Sequence, residues 1–196
     1  MQDDQNEPST PVEKADVEVT RAVADWRHTR TVRFLGNLSE VADQPPLIAI
    51  CAATLAIGIV SRNARLARAG ARMLAAELLA TKLKGLVKDR VDRTRPHLLV
   101  EEGRYELEAG DSEKGEERSF PSGHTAGAVA VARAFAREYP EQRGAAYAAA
   151  GAIAAIQIPR CAHFVSDVGA GAVVGLVSEA IVDGVARLLG ASPAPR

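Results

Sequence analysis

The 196-residue chain fits one domain and is long enough to bury a real core. Its 24 Lys+Arg against 25 Asp+Glu leave a formal charge of −1, which excludes the strongly basic footprint of a nucleic-acid binder. A hydrophobic share of 47% excludes a disordered chain, and two cysteines exclude a disulfide scaffold. Alanine makes up roughly a fifth of the residues and aromatics only 4%, a balance that favours helix. With 25% of residues charged, the chain is not buried mainly in lipid, though a smaller embedded portion with polar ends fits.

Met1 to Glu7 is polar and acidic, without the basic region and apolar run of a secretory signal, so no signal peptide is expected. Residues 1–11 read as a loose tail. From Val12 to Leu38, Val19, Val23, Trp26 and Leu35 alternate with charge, which predicts an amphipathic helix lying on a surface. Gln44 to Ser61 carries no charge and is near the lower limit for a membrane-spanning helix. Arg62, Arg65, Arg68 and Arg72 read as a basic connection, followed by a helix from Met73 to Leu86 that runs on to Lys88. Leu98 to Arg118 is acidic and loop-like. Helices follow at Ser122–Glu138, Gly144–Ile158 and Phe164–Leu189, bounded by prolines and Gly190. Gly151, Gly169, Gly171 and Gly175 would let the last helices approach closely, as in membrane bundles and in tightly packed soluble ones. Cys51 and Cys161 read as two small buried thiols.

The expected fold is therefore all-α. It is an up-and-down, membrane-embedded bundle of about five core helices with an extra N-terminal amphipathic helix. The tail and that helix occupy residues 1–44, the helical domain 45–190 and a C-terminal tail 191–196. A soluble helical bundle is the alternative.

Three motifs carry chemistry. In Lys88-Asp-Arg-Val-Asp-Arg-Thr-Arg95-Pro96 the two outer cations stand seven residues apart, about two turns, and share a face if the helix persists. Pro96 biases Arg95 out of the α region, into a loop. Together they could hold one phosphate, Arg95 as a fork and Lys88 as a point charge; basic residues also gather at helix C-termini for dipole reasons alone. In Ser119-Phe120-Pro121-Ser122-Gly123-His124-Thr125, free amides at a helix start form an anion site. Gly123 allows close approach, Ser122 can donate a hydrogen bond, and His124 could pass a proton to a leaving oxygen. In Arg160-Cys-Ala-His163-Phe-Val-Ser-Asp167 the His/Asp pair is spaced i,i+4, which on a helix puts both on one face. A carboxylate on one ring nitrogen leaves the other as nucleophile or base. Two helix crossings separate the second motif from the third, so all three meet at one end of the bundle.

These motifs resemble the signature of the type 2 phosphatidic acid phosphatase superfamily, which includes bacterial acid phosphatases and vanadium haloperoxidases. Lys88 to Pro96 matches K-x6-RP, Pro121 to His124 matches PSGH, and His163-x3-Asp167 matches the end of SR-x5-H-x3-D, the likeness spanning residues 45–190. The resemblance implies that His163 attacks phosphorus, that Asp167 orients it and that His124 protonates the leaving group. It implies that Lys88, Arg95, Arg160, Ser122 and the Gly123 amide bind the phosphoryl oxygens. One departure stands out. Gln157 occupies the family's arginine position and Pro159 the serine position that usually precedes it, while Arg160 lies three residues closer to His163, nearly one helical turn.

The expectation is a phosphatase of membrane lipid phosphates or diphosphates, acting through a phospho-histidine. It needs no metal or other cofactor, and no group of residues stands at metal-ligand spacing. Its partners would be a phosphorylated lipid and the membrane, with no nucleic acid. It would be a multi-pass protein of the cell membrane, with its site facing outside the cytoplasm. The alternatives are a soluble acid phosphatase and a non-catalytic phospholipid-binding protein.

Overall fold

Hydroxyl and amide caps set the helix boundaries of this chain. The computed structural model describes residues 8–190, so most of the N-terminal tail and all of the C-terminal one lie outside the described residues. Thr10 opens α1 (Pro11–Val23) with a capping box to Glu13, and Thr29 caps α2 (Arg30–Ser39). Between them Ala24–His28 forms a 3-10 turn, so the single amphipathic helix expected over 12–38 is in fact two.

The five core helices are α3 (Gln44–Val60), α4 (Ala64–Lys88), α6 (Gly123–Glu138), α7 (Arg143–Ile156) and α8 (Val165–Leu188). The arginines read as a connection are mostly helical instead: α4 begins at Ala64, capped by Asn63, and includes Arg65, Arg68 and Arg72. Nor is the acidic stretch Leu98–Arg118 a plain loop. It holds most of α5 (Pro96–Glu102) and the strand β2 (Leu107–Glu108), which forms a two-residue antiparallel ladder with β1 (Asp92–Arg93). Ion pairs from Arg104 to Glu106 and Glu117, and from Arg118 to Asp89, tie this stretch down.

Helix α6 is the hub, packed against α4, α7 and α8. It can be surrounded because Ala126, Ala128, Ala130, Ala132, Ala134 and Ala136 are all buried, and their small side chains admit neighbours on several sides. A core of Cys51, Ala69, Met73, Ala76, Ala80, Ala130 and Ala134 fills the space between α3, α4 and α6. Both cysteines are free and buried, as expected. The tightest approach joins α3 to α4 through two glycines. A Cβ on Gly70 would lie 2.3 Å from the Leu55 nitrogen, and one on Gly58 would lie 2.3 Å from the Ala67 nitrogen.

Several charged side chains lie inside the bundle and several large apolar ones outside it. Arg72, Glu77, Glu138, Ser178, Glu179 and Asp183 are buried, whereas Ile57, Ile59, Val173, Val185 and Leu188 are exposed. The buried charges at the end of the bundle away from Lys88 are paired: Arg72 with Glu138 and Asp183, and Arg137 with Glu179 and Asp183. Among the described residues α8 alone is long and apolar enough to cross a membrane by itself; the pair Arg30–Ala42 and Gln44–Val60, bent by 55°, qualifies together.

Replacing Gly70 by alanine is expected to force α3 and α4 apart and to cost about 1–3 kcal/mol, the usual range for overpacking. Gly85→Ala, where a Cβ meets nothing within 4 Å, is expected to be neutral or slightly stabilising. Thermal unfolding of both variants in detergent checks the contrast.

Candidate active site

Four chain segments meet at the end of the bundle where α4 stops. They are the α4 terminus with Lys88, the β1–α5 junction with Arg93 and Arg95, the entry to α6 from Arg118 to His124, and the 157–164 turn into α8. Backbone bonds knit them. The Arg95 N–H donates to the Glu116 carbonyl at 2.8 Å, Ser119 N–H to Arg93 at 3.0 Å, and Ser122 N–H to Asp167 at 3.0 Å.

His163 lies at the centre, 3% exposed. Its Nδ1 is 2.8 Å from the Ser119 carbonyl oxygen. A carbonyl can only accept, so Nδ1 must carry the proton and Nε2 keeps its lone pair. The nearest Asp167 oxygen is 3.7 Å from Nδ1, ion-pair range rather than a hydrogen bond. The two residues do not meet across a helix face, because α8 starts only at Val165. Asp167 instead folds back over its own N-terminus, accepting the Phe164 N–H at 2.8 Å. Burial pushes the His163 imidazole down to about 4, with Asp167 opposing the shift and Arg95 and Lys88 adding to it.

The other oxygen of Asp167 accepts Arg93 Nη1 at 2.6 Å. Arg93 is 2% exposed and its Nη2 donates to Asp16 of α1 at 2.9 Å and to Tyr105 Oη at 3.2 Å. The guanidinium also stands 4.2 Å from the Phe164 ring. Arg93 thus acts twice: its carbonyl holds Ser119, which orients Nδ1, and its guanidinium holds Asp167.

The remaining sequence-predicted residues surround this centre. Helix α4 ends at Lys88, so the helical face expected to carry both Lys88 and Arg95 does not exist; the β1 turn brings them into electrostatic contact instead. Lys88 Nζ donates to the Arg118 carbonyl, and Arg95 Nε donates to Gly115 at 2.9 Å. The Ser122 hydroxyl is fully buried as the cap of α6 and accepts from Thr125 Oγ1 at 3.0 Å. Gly123 faces Lys84, whose Nζ would be 3.0 Å from a Cβ there. His124 Nε2 is buried without a hydrogen-bond partner, and a Glu40 oxygen lies 3.7 Å away.

Arg160 and Gln157 divide the work of the displaced arginine. Gln157 is fully buried and pins the turn to α2 through Ser39 at 3.1 Å. Arg160 pairs with Glu40 at 2.7 Å and donates to Gly36 and Ser39. It therefore sits at the rim, bound to the N-terminal segment. The turn passes through Cys161 at φ 54°, a left-handed conformation costly for a residue with a Cβ.

Sequence reasoning missed Arg93, Asp16, Glu40 and Lys84. Arg93 was in view inside the first motif but indistinguishable from its basic neighbours. Asp16 and Glu40 belong to a segment whose polar residues read as solvent-facing. Lys84 offered one signal, its place one turn before Lys88.

This chain belongs to the PAP2 superfamily, whose sequence pattern matches residues 69–183. Its fold is similar to that of LpxE of Aquifex aeolicus, with a TM-score of 0.64 and 22% identity over 86% of this chain and 94% of that one. It is also similar to a transmembrane PAP2 type phosphatidylglycerolphosphate phosphatase of Bacillus subtilis, with a TM-score of 0.60 and 21% identity over 91% and 88% of the two chains. Among curated proteins none matches this sequence.

The buried, carbonyl-bound imidazole is expected to stay neutral down to about pH 4, well below the 6.5 of a free histidine. Protonation as pH falls through that value would consume the Nε2 lone pair. Nitrogen-15 NMR titration of labelled histidine in detergent reads it directly; a His163 midpoint near 6.5 would contradict the geometry.

Proposed function

We propose that this protein is a lipid phosphate phosphatase of the membrane, working through a phospho-histidine at His163 without a metal. The single observation that carries the reading is the buried His163 imidazole, held by a carbonyl on Nδ1 with Nε2 free, beside Lys88 and Arg95. In the first step Nε2 bonds to phosphorus, the bond to the lipid oxygen breaks, and His124 gives that oxygen a proton. In the second step His124 takes a proton from water, whose oxygen displaces the histidine and releases inorganic phosphate. Lys88, Arg95 and the amides of Gly123 and its neighbours at the α6 start would neutralise the transferring group, the task a metal ion performs elsewhere. Arg160 would join them once released from Glu40.

Two features support a membrane substrate. The outward surfaces of α3 and α8 are apolar while the interior holds the paired charges of Arg72, Glu138, Glu179 and Asp183, the arrangement expected in lipid. An apolar cavity of about 280 Å³ runs between α3, α6 and α7, lined by Leu47, Ile50, Val131, Phe135 and Ile153. Its upper wall, Val41 and Ala42, directly follows Glu40, the neighbour of His124. An acyl chain there would leave its headgroup at the basic end. The side of the membrane on which the site opens, outside the cytoplasm, rests on the family resemblance alone.

Purified protein in detergent, with chelator present, is expected to release phosphate from at least one of a panel of phosphatidate, phosphatidylglycerophosphate and polyprenyl diphosphate. His163→Ala should lower that rate more than about a thousandfold, as loss of a catalytic nucleophile does. Release that survives the substitution would end the mechanism, and a preference for water-soluble esters would favour the soluble reading.

Filling the cavity separates chain binding from chemistry. Ala149→Trp on α7 is expected to raise KM for a long-chain lipid phosphate severalfold while leaving an aryl phosphate unaffected. Equal effects on both substrates would remove the cavity from the account.

A further inference from the structure

Helix α1 lies outside the residues that match the family, yet beside Val17 it buries two acids. Glu13 and Asp16 are inside, 7% and 3% exposed, while Val12 and Val19 face outward. Both acids converge on Arg93. Asp16 accepts from its Nη2 at 2.9 Å and from the Ser166 N–H at 2.9 Å. Glu13 accepts from Tyr105 Oη at 3.1 Å, and that oxygen accepts from Arg93 at 3.2 Å.

The charge count explains why a second acid matters. Arg93 and Asp167 alone form a neutral pair, with no net negative charge left to face the imidazole. When Nε2 bonds to phosphorus the ring becomes positive, in a pocket with little water to stabilise it. Asp16 makes the buried group of Asp16, Arg93 and Asp167 carry one net negative charge beside that ring. It also shares the guanidinium with Asp167, so that Arg93 bridges two acids rather than drawing Asp167 wholly away from His163.

From this arrangement we infer that Asp16 is a positioning residue of the active site, through which the N-terminal helix supplies the negative charge that balances the phosphorylated His163. Asp16 touches neither phosphate nor the reacting atoms, so it acts on formation of the bond to Nε2 and not on anion binding. The inference rests on the reading of His163 as nucleophile.

The test compares two anions. Orthovanadate can bond to a ring nitrogen as a five-coordinate analogue of phosphoryl transfer, whereas inorganic phosphate only occupies the site. Asp16→Asn keeps the shape and one of the two acceptor oxygens but removes the charge. It is expected to weaken vanadate binding about ten- to a hundredfold, the range for one charge-assisted interaction, with phosphate affinity unchanged, in protein that still folds but melts at a lower temperature because Arg93 loses a buried partner. In turnover assays kcat should fall by a similar factor at constant KM, while Glu18→Gln on the exposed side of α1 should behave as wild type. Should Asp16→Asn not fold, Ser166→Ala, which removes one donor to Asp16, is expected to shift vanadate binding in the same direction by a smaller factor.

Equal weakening of both anions, or of neither, in a folded variant would overturn the inference. Wild-type protein that binds both anions but hydrolyses no lipid phosphate would count against the proposed function and leave the anion comparison decisive for Asp16. Wild-type protein that binds neither removes the phosphate site and this role of Asp16 with it.

Discussion

The buried guanidinium of Arg93 is the contact on which the rest of this end of the molecule depends. It sits between Asp16 and Asp167, all three at 3% exposure or less, with the Phe164 ring against it. Charges so far from water are tolerated only when paired and hydrogen-bonded, and removing one partner typically costs about 3–5 kcal/mol. Four pieces of chain are therefore locked by a single residue: α1 and the start of α8 through its guanidinium, the β1 ladder it belongs to, and the entry to α6 through its carbonyl on Ser119. The orientation of His163 follows from two of them.

A second constraint runs through the bundle as a whole. Its helices are joined by small residues, glycine between α3 and α4 and alanine on every side of α6, so backbones rather than large side chains meet. Many larger apolar groups are left on the outside, and Arg72, Arg137, Glu138, Glu179 and Asp183 find one another inside. In water that pattern would waste the hydrophobic effect, whereas in lipid close packing and buried polar pairs are what hold helices together. The N-terminal segment likewise has Trp26, Phe34 and Leu38 outward and Asp16 inward.

Much of the helical frame was legible in the sequence. The uncharged run from Gln44, the prolines around α6 and α7, and the glycine past α8 place those boundaries within about two residues. The N-terminal half was less so. A break at Ala24–His28 has no proline or glycine to announce it, and the arginines after Ser61 look like a linker because their partners, Glu138, Glu141 and Asp183, lie at least 66 residues away. Within the site, the motif residues were legible individually, and their relations were not. Lys88 and Arg95 are joined by a turn where a helix was expected, and Asp167 meets His163 by capping back.

The sequence by itself determined the inventory: five apolar or alanine-rich helices, caps and breakers at their ends, and three short motifs that the alternation of helices brings to one end. Those are consequences of local geometry and periodicity, which a linear pattern records. Only the tertiary structure decided which acid neutralises which base. That choice bound Arg160 to Glu40, left His163 on the Ser119 carbonyl, and drew Asp16 into the interior. Pairing of buried charge depends on which groups lose water together, and that is a property of packing between distant segments rather than of any stretch of chain.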